Sequence, residues 1–409
     1  MARIAFAWEM GGEYGHISRL LTIASAFRAR GHEICFILKD LSRAEAMLGA
    51  IGAPCYQAPH WVPTISGLPD AVNAGETLIR FGYLEASGLT GICRAWRNLY
   101  ELLQPDLLFC DFAPTALLAA RGTGIPTAVS DTGYGIPPAH APLPPYRWWL
   151  ERGPAPLEGA EARVLACIND VCAALGNPPY EAVWQVFRGD ANFLCTFAEL
   201  DHYPEREETR YWGPIANLEH GETPRWPQGS GPRVFLYLRP DSAGLAAVCR
   251  ALVAAKARVL AFVPGLEGKV RDALKSRRLS FVDKPLRMDV VRNQCDAAIC
   301  HAGLGTTAAL LAAGRPLLML PSQTEQAMIA MRVQRLGAGL VADARRVEAN
   351  APALIRGLLT DEGLREQARA FAASYRNIGQ DDVVQAIVAA CEGMLGNSAP
   401  GANPSASHR

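Results

Sequence analysis

The fold is decided by residues 3–38, which read RIAFAWEMGGEYGHISRLLTIASAFRARGHEICFIL. This segment opens with the β-forming run Arg3–Trp8 and closes with a second one, Glu33–Leu38. Between the two runs, a glycine-rich turn leads into apolar residues at helical spacing, and Gly31 is typical of a helix end. A strand, a helix and a second strand in this order predict a parallel sheet with helices on both faces.

The same alternation continues along most of the 409 residues and is interrupted once. Residues 205–232 are polar, rich in proline and glycine and free of periodicity, which indicates an interdomain linker. We therefore predict an α/β protein of two Rossmann-like, doubly wound parallel-sheet domains facing across a cleft, an N-terminal one at 1–204 and a C-terminal one at 233–378. A helix at 379–395 is expected to pack back on the N-terminal domain, and residues 396–409 to be a disordered tail.

A long loop interrupts the first of these two domains. The further strands are predicted at Asp106–Cys110, Thr127–Ser130 and Asn192–Thr196, and in the second half at Arg233–Leu238, Arg258–Val263, Leu279–Val282, Ala297–Cys300, Leu317–Leu320 and Gly339–Val341. Seven prolines fall between Ile136 and Pro156, together with Tyr146, Trp148 and Trp149. An aromatic loop of this length inside a domain is more often a binding element than a spacer.

The composition excludes several classes of function. Lys plus Arg and Asp plus Glu number 40 each, so the chain lacks the basic excess of a nucleic-acid binder. No apolar run reaches the roughly 18 residues of a membrane span, and the apolar start is too short for a signal peptide. We therefore expect a cytoplasmic protein. The eleven cysteines contain no Cys-x-x-Cys pair, which favours reduced, buried thiols and argues against a metal site.

The first candidate site is HAGLGTT at residues 301–307, which follows a predicted strand and opens a predicted helix. Small residues let a ligand approach the backbone, and the unpaired amides of a helix start favour an anion such as a diphosphate. The candidate contacts are His301, Gly303, Gly305, Thr306 and Thr307. The alternative is a tight turn with capping threonines. The dinucleotide fingerprint from Gly303 to Ala308 is weak, because no acidic residue ends the next strand.

The second candidate site is PSQTEQ at residues 321–326, just past the following strand. Glu325 and Gln326 offer a carboxylate and an amide, which suit the hydroxyl groups of a sugar. The alternative is an ordinary helix start with Thr324 as the cap and Glu325 favoured by the helix dipole.

The third candidate site joins His16, at the start of the first helix, with Asp111, at the end of the DLLFC strand. In a doubly wound sheet both positions lie on one edge, so the two side chains can meet. A helix start disfavours a positively charged ring, and a neutral His16 oriented by Asp111 has the properties of a general base. The alternatives are an ordinary helix-start histidine and a capping carboxylate.

Taken together, these motifs resemble those of a known enzyme family. Residues 15–21 (GHISRLL) and 28–33 (RARGHE) resemble the N-terminal signature of nucleotide-sugar glycosyltransferases with the GT-B fold. Residues 295–340 resemble their donor-binding segment, and Trp212–Ile215 resembles the segment before their linker. The similarity is greatest to the branch that holds UDP-glucuronosyl/glucosyltransferases and antibiotic macrolide glycosyltransferases.

The resemblance implies a metal-independent, inverting transfer of a hexosyl group from a nucleoside-diphosphate sugar to a hydroxyl group. The nucleotide sugar is then a co-substrate, and no cofactor is needed. By position, it assigns His16 as the base, Asp111 as its orienting partner, His301 and Thr306 as diphosphate contacts, and Glu325 and Gln326 as the pair that holds the donor sugar. The chain contains no Asp-x-Asp sequence, the metal-binding motif of the other main transferase fold.

Several positions depart from the family pattern. Ala309 replaces a glutamate that binds the ribose, Ala302 replaces a frequent glycine, and Ile329 replaces an asparagine. Asp283 and Leu286 stand where plant members hold the base with an aromatic residue and a glutamine. These departures leave UDP, dTDP and GDP sugars open as donors. They also leave open a nucleotide-sugar epimerase or hydrolase of the same fold, and a catalytically silent nucleotide-sugar binder.

Aromatic residues in the N-terminal half suggest a hydrophobic acceptor, either a lipid or a polyketide-like small molecule. They are Trp61, Phe81, Tyr83, Trp96, Tyr134, Trp148 and Trp149, of which Tyr134, Trp148 and Trp149 are the candidate pocket residues. The alternative is ordinary core packing. Arg147 and Arg152 flank the tryptophan pair, which allows at most a peripheral contact with a membrane.

Overall fold

Two parallel sheets of six strands form the framework of the protein. The computed structural model describes residues 1–12, 15–42, 44–63, 65–216, 218–219, 221–376 and 379–397. The first sheet contains β1 (Arg3–Trp8), β2 (Glu33–Leu38), β3 (Cys55–Gln57), β4 (Leu107–Asp111), β5 (Thr127–Asp131) and β6 (Ala191–Leu194). The second contains β7 (Arg233–Tyr237), β8 (Arg258–Phe262), β9 (Leu279–Val282), β10 (Ala297–Cys300), β11 (Leu317–Met319) and β12 (Gly339–Val341).

The two sheets have the same topology. Their strand orders are β3-β2-β1-β4-β5-β6 and β12-β11-β10-β7-β8-β9, so in each sheet the first and fourth strands are neighbours at the centre. The direction of winding reverses there, and ligands of such sheets bind beyond the carboxyl ends of the central strands. The predicted pair of doubly wound α/β domains is confirmed.

Helices cover both sheets. The N-terminal domain contributes α1 (Gly15–Ala29), α2 (Ala44–Leu48), α3 (Ala74–Ile79), α4 (Ala86–Leu103), α5 (Pro114–Ala120) and α6 (Ala160–Leu175). The C-terminal half contributes α7 (Leu245–Ala254), α8 (Gly268–Leu274), α9 (Met288–Gln294), α10 (Leu304–Leu311), α11 (Thr324–Arg335), α12 (Val347–Thr360), α13 (Glu362–Ser374) and α14 (Gln380–Asn397). Because helices lie on both faces, Ile4–Trp8 of β1 is buried throughout, which explains its unbroken apolar run.

The two domains touch directly beside the cleft. Arg332 on α11 donates hydrogen bonds to the carbonyls of Ala198 and Glu199, at 3.1 and 3.0 Å. The Tyr375 hydroxyl donates to the Glu199 carboxylate, and the Tyr375 ring packs on Phe197 with centroids 4.1 Å apart. These contacts join the N-terminal domain to the C-terminal domain beside α11, which carries one of the candidate sites.

The last helix returns to the N-terminal domain. Buried residues of α14, including Ile387 and Cys391, join the apolar cluster beneath α1. Glu392 pairs with Arg30 at 2.6 Å and with His32 at 3.0 Å. The helix runs to Asn397, two residues into the stretch expected to be a tail, and residues 398–409 lie outside the described part of the chain.

Candidate active site

His16 and Asp111 meet at the carboxyl edge of the first sheet. Trp8 of β1 stands opposite Asp111 of β4, so the helix that follows β1 begins beside the end of β4. His16 Nδ1 lies 2.7 Å from Asp111 Oδ1. Because an ionised carboxylate only accepts, the proton of a neutral ring is placed on Nδ1, and Nε2 is left as the acceptor. This is the arrangement of a general base that is oriented by a carboxylate.

Arg19 is a third member of this group that the sequence analysis missed. One helical turn after His16, its Nε donates to Asp111 Oδ2 at 2.8 Å. Arg19 is 6% exposed and Asp111 is 0% exposed, so the pair is buried. Burial alone lowers the pKa of Arg19, but the charges of Asp111 and Asp131 outweigh it and raise that pKa above its ordinary value. The spacing of three residues on one helix face was the available signal.

The His16 ring is held between two aromatic rings. The Trp8 ring stacks on it with centroids 5.4 Å apart, and the Phe112 ring lies on it at 6.4 Å. Gly11 adjoins the same ring with φ +83°, and a Cβ at this position would lie 2.5 Å from His16 Nε2. The absence of a side chain at Gly11 therefore keeps the acceptor nitrogen accessible.

The turn between β10 and α10 offers backbone donors. Its residues are His301, Ala302 and Gly303, and the N-cap Gly303 makes no side-chain cap. The amides of residues 304–306 therefore have no acceptor within the helix. Such unpaired amides can donate hydrogen bonds to an anion. Ala302 has φ +65°, in the left-handed region that favours glycine, so a residue with a side chain occupies a glycine conformation here.

The two threonines of this motif point in different directions. Thr307 is 0% exposed, its Oγ1 lies 4.0 Å from Cys300 Sγ, and its amide donates to the Gly303 carbonyl at 3.0 Å. Its polar groups therefore face the core, and its contact with a diphosphate stays a prediction. Thr306 and Gly305 remain at the helix surface. His301 packs edge-on against Tyr237, with ring centroids 4.8 Å apart.

Glu325 and Gln326 have different surroundings at the start of α11. The Gln326 side-chain oxygen accepts from the Ser322 amide at 2.9 Å and from the Ser322 hydroxyl at 3.1 Å, so it closes the turn before the helix. The Glu325 side chain is 40% exposed, with Oε1 3.7 Å from His202 Nε2. Thr324, considered as a cap, is instead the first helical residue, and Gln323 is the N-cap.

The charges around Glu325 include those of the His16 group. Burial raises the pKa of Glu325, but the neighbouring His202, and beyond it His16 and Arg19, outweigh that effect and lower the pKa below its ordinary value. A carboxylate of the C-terminal domain is therefore ionised beside the His16 group of the N-terminal domain. Both sites belong to one cleft.

A cavity of about 490 Å³ opens between the two domains beside these groups. Tyr134 and Tyr146 line it from the N-terminal domain, and the residues at 321–324 line it from the other side. Arg80, Arg147 and Asp70 also line this cavity, so it is more polar than the aromatic composition suggested.

The candidate acceptor residues divide into two groups. Tyr134 packs edge-on against Phe112, with centroids 5.9 Å apart, and so continues the aromatic wall from His16. The Trp148 ring lies 4.1 Å from the Arg335 guanidinium of α11, and Trp149 packs on Trp148. Two other aromatic residues follow the alternative of core packing, since Tyr83 and Trp96 are each 0% exposed.

Two departures from the family pattern lie in the core of the C-terminal domain. Ala309 is 5% exposed and Ile329 is 0% exposed, and both side chains are apolar. The Asp283 carboxylate contacts Arg271 at the surface. A ribose therefore finds no carboxylate at position 309 and no side-chain amide at position 329.

Metal-binding clusters, membrane-spanning helices and disulfides are absent from the described residues. No group of three His, Cys, Asp or Glu side chains is placed there to hold a metal ion. Across the same ranges, no helix combines the length and the apolar character needed to cross a membrane. No disulfide joins the eleven cysteines, of which ten are buried.

Known proteins share both the fold and the sequence pattern. The crystal structure of the calicheamicin glycosyltransferase CalG4 superposes with a TM-score of 0.70 at 21% identity, covering 98% of this chain and 99% of the other. The glycosyltransferase VinC in complex with dTDP gives a TM-score of 0.66 at 16% identity, covering 97% and 99%. A PGL/p-HBAD biosynthesis glycosyltransferase of Mycobacterium tuberculosis is 24% identical over 397 residues, covering 91% of this chain and 88% of the relative.

The paired sheets have the GT-B fold of these glycosyltransferases, and the chain is similar in sequence to a glycosyltransferase over most of its length. The C-terminal region gives a more specific similarity. Residues 275–392 match the family described as erythromycin biosynthesis protein CIII-like, C-terminal domain, which agrees with the resemblance to macrolide glycosyltransferases.

Proposed function

We propose that the protein transfers a hexosyl group from a nucleoside-diphosphate sugar to a hydroxyl of a largely apolar acceptor, with inversion at the anomeric carbon. In this single displacement, the acceptor oxygen bonds to the anomeric carbon as the bond to the diphosphate breaks. The hydroxyl proton moves to His16 Nε2. No metal ion takes part in the proposed step.

The contact between His16 and Asp111 carries the proposal. Nδ1 is held by the carboxylate at 2.7 Å, and the opposite nitrogen faces the position left open by Gly11. As Nε2 takes a proton, positive charge develops on the ring, and the adjacent carboxylate stabilises it. Arg19 holds the other oxygen of Asp111, so the carboxylate keeps its orientation toward the ring.

The donor is assigned to the C-terminal domain. The open amides at the start of α10 and the His301 side chain would stabilise the leaving diphosphate, in the place that a metal ion fills in other transferases. Thr306 and the small residues Gly303 and Gly305 line the same turn. Glu325 is the group proposed to bind hydroxyls of the donor sugar, because its ionised carboxylate lies in the cleft. Gln326 supports this site by closing the turn at Ser322.

The acceptor is assigned to the aromatic side of the cleft. Phe112 and Tyr134 form a continuous wall from His16, which suits a flat or apolar molecule with a reactive hydroxyl. CalG4 is named a calicheamicin glycosyltransferase and the mycobacterial relative a PGL/p-HBAD biosynthesis glycosyltransferase, and these names support an acceptor of this kind. The dTDP complex of VinC supports a thymidine-diphosphate sugar as the first donor to test.

The test combines ligand binding with product analysis. A thermal-shift screen with dTDP, UDP and GDP sugars is expected to raise Tm for one nucleotide class, because a ligand that binds the native state stabilises it. The selected donor is then incubated with phenolic and polyketide acceptors, and the anomeric configuration of the product is read by NMR. Inversion with the wild type, and no product with His16→Ala despite unchanged donor binding, are expected.

Other outcomes contradict the proposal in different ways. A retained anomeric configuration would exclude the single displacement. Donor breakdown at an equal rate with and without acceptor would assign a hydrolase, and donor binding without turnover across the panel would assign a silent binder. Wild-type activity in the His16→Ala variant would remove His16 from the mechanism.

A further inference from the structure

His202 is a buried imidazole that the sequence analysis did not select. Its side chain is 0% exposed, and neither ring nitrogen has a hydrogen-bond partner in the described part of the chain. Leaving a polar group buried and unpaired costs about 1–3 kcal/mol, and most buried polar groups are paired. A phenylalanine of similar shape would avoid this cost, so the imidazole requires a functional explanation.

The surroundings of His202 fix the direction in which its ring points. Trp148 Nε1 donates to the His202 carbonyl at 2.8 Å, which ties the backbone to the proline-rich loop. Tyr134 packs on the ring edge with centroids 5.6 Å apart, and Nδ1 lies beside Gly133, where an added Cβ would come within 3.4 Å of it. Nε2 lies toward the C-terminal domain, where Glu325 Oε1 is 3.7 Å away.

This distance is too long for a hydrogen bond, whose usual limit is about 3.2 Å. His202 belongs to the N-terminal domain, and Glu325 lies at the start of α11 in the C-terminal domain. A closure of the two domains by less than one ångström along this line would bring the two atoms into hydrogen-bond distance. Domain closure of this kind is common when a substrate fills a cleft.

We propose that His202 is a positioning residue that donates from Nε2 to the Glu325 carboxylate in the closed, donor-bound enzyme. This inference rests on the proposed role of Glu325 toward the donor sugar. With one carboxylate oxygen held by His202, the other is directed at the sugar hydroxyls. The hydrogen bond also forms only when the two domains approach each other. Because Tyr134 packs on the His202 ring, the bond links donor binding to the position of Tyr134 on the acceptor side of the cleft.

The experiment compares single and double variants in steady-state kinetics. His202→Phe keeps the ring shape and removes the donor, so the KM for the nucleotide sugar is expected to rise about tenfold. The KM for the acceptor is expected to stay within twofold, and Tm to stay equal or increase. His202→Gln retains an N–H donor and is expected to restore part of the loss. In a Glu325→Gln background, His202→Phe is expected to have little further effect, because the bond is already weakened.

Tyr375→Phe is the matched control, because it removes a different interdomain hydrogen bond, the one to Glu199. In the double variant of Tyr375→Phe and Glu325→Gln, the fold-changes in donor KM of the two single variants are expected to multiply. If Glu325→Gln leaves the donor KM unchanged, the proposed donor site is wrong. Two other results would contradict the role of His202 alone. In the first, Glu325→Gln raises the donor KM and His202→Phe does not. In the second, both variants raise the donor KM but their effects are independent; in either case the proposed donor site is retained.

Discussion

Asp111 binds two side chains of the same helix, one with each oxygen. Oδ1 lies 2.7 Å from His16 Nδ1, and Oδ2 accepts from Arg19 Nε at 2.8 Å. Since neither oxygen is free to rotate away, the His16 ring has one orientation and one favoured tautomer. This geometry would orient the proposed base before any substrate is bound, which is an arrangement that lowers the cost of orientation during catalysis.

Replacing Asp111 by asparagine tests this arrangement. With Arg19 holding the side-chain oxygen, the amide NH₂ faces His16 Nδ1 and favours the tautomer with its proton on Nε2. That nitrogen then cannot accept the acceptor proton, so kcat is expected to fall by about 10³–10⁴-fold. Donor affinity, measured by calorimetry, is expected to stay unchanged. The double variant with His16→Ala is expected to be no slower than His16→Ala alone. A kcat near the wild-type value would refute the role of Asp111.

Gly11 offers a test of access to the same nitrogen. A methyl group at this position would lie 2.5 Å from His16 Nε2, and φ +83° adds strain for any residue but glycine. Gly11→Ala is therefore expected to reduce kcat by at least about 100-fold by displacing the ring. Gly12→Ala is the control, because a Cβ there has no neighbour within 4 Å, and its kcat is expected to stay near wild type. Equal rates for the two variants would show that Nε2 is not the reactive atom.

Much of the fold was accessible from local patterns. Strands β1, β2, β9, β10 and β12 have the predicted limits, because these short runs of β-formers are mostly flanked by polar or turn-forming residues. The short strand β3 was missed, since its three residues are too few for a period. Helix α4 was missed as well, and its glycines Gly88 and Gly91 weaken the helical pattern.

The candidate site was only partly accessible from the sequence. The contact of His16 with Asp111 could be predicted from the edge rule for parallel sheets, because His16 follows β1 and Asp111 ends the neighbouring strand β4. The role of His202 depends on the approach of a second domain, and its neighbours in sequence carry no motif. The orientation of Thr307 could not be predicted from the motif alone, because adjacent helical residues differ by 100° in direction, which turns its hydroxyl to the core while Thr306 stays at the surface.

Gly305 distinguishes a diphosphate site from an ordinary turn. It lies in the first turn of α10, and a Cβ there would come no closer to the protein than 3.7 Å, at Ala216. If the turn is only structural, Gly305→Ala is neutral or stabilising, because alanine is the better helix former. If a diphosphate rests on this backbone, the donor Kd is expected to rise about tenfold, since the added methyl group hinders its approach.

The control for this prediction is Gly268→Ala. Gly268 is the first residue of α8 in the same domain, and a Cβ there would meet open space. Its variant is expected to bind the donor as the wild type does. Calorimetric titration of both variants with the same nucleotide sugar measures the difference, and an unchanged Kd for Gly305→Ala would argue for the structural alternative.

Glu9 is a buried carboxyl group beneath the site that the proposed chemistry does not use. It is 2% exposed, and its Oε2 accepts from the Thr115 amide at 2.8 Å. The N-cap of α5, Ala113, has no side chain that caps, so Glu9 supplies the missing acceptor from the end of β1. Burial raises the pKa of Glu9 from 4.5 to about 7, and the hydrogen bonds from Thr115 lower it only in part.

The raised pKa predicts that Glu9 lowers stability as the pH rises. Between pH 4.5 and 7 the folded protein holds a proton that the unfolded chain has lost, so the free energy of unfolding falls across this window. Glutamine accepts the same hydrogen bond without ionising. Glu9→Gln should match the wild type in urea unfolding near pH 4.5 and exceed it by about 3 kcal/mol at pH 8. Glu392→Gln is the control of opposite sign, because the hydrogen bond from His32 lowers the pKa of Glu392, and that variant should be less stable than the wild type at pH 8. A Glu9→Gln advantage that is the same at both pH values would show that Glu9 ionises in the folded protein as it does in the unfolded chain.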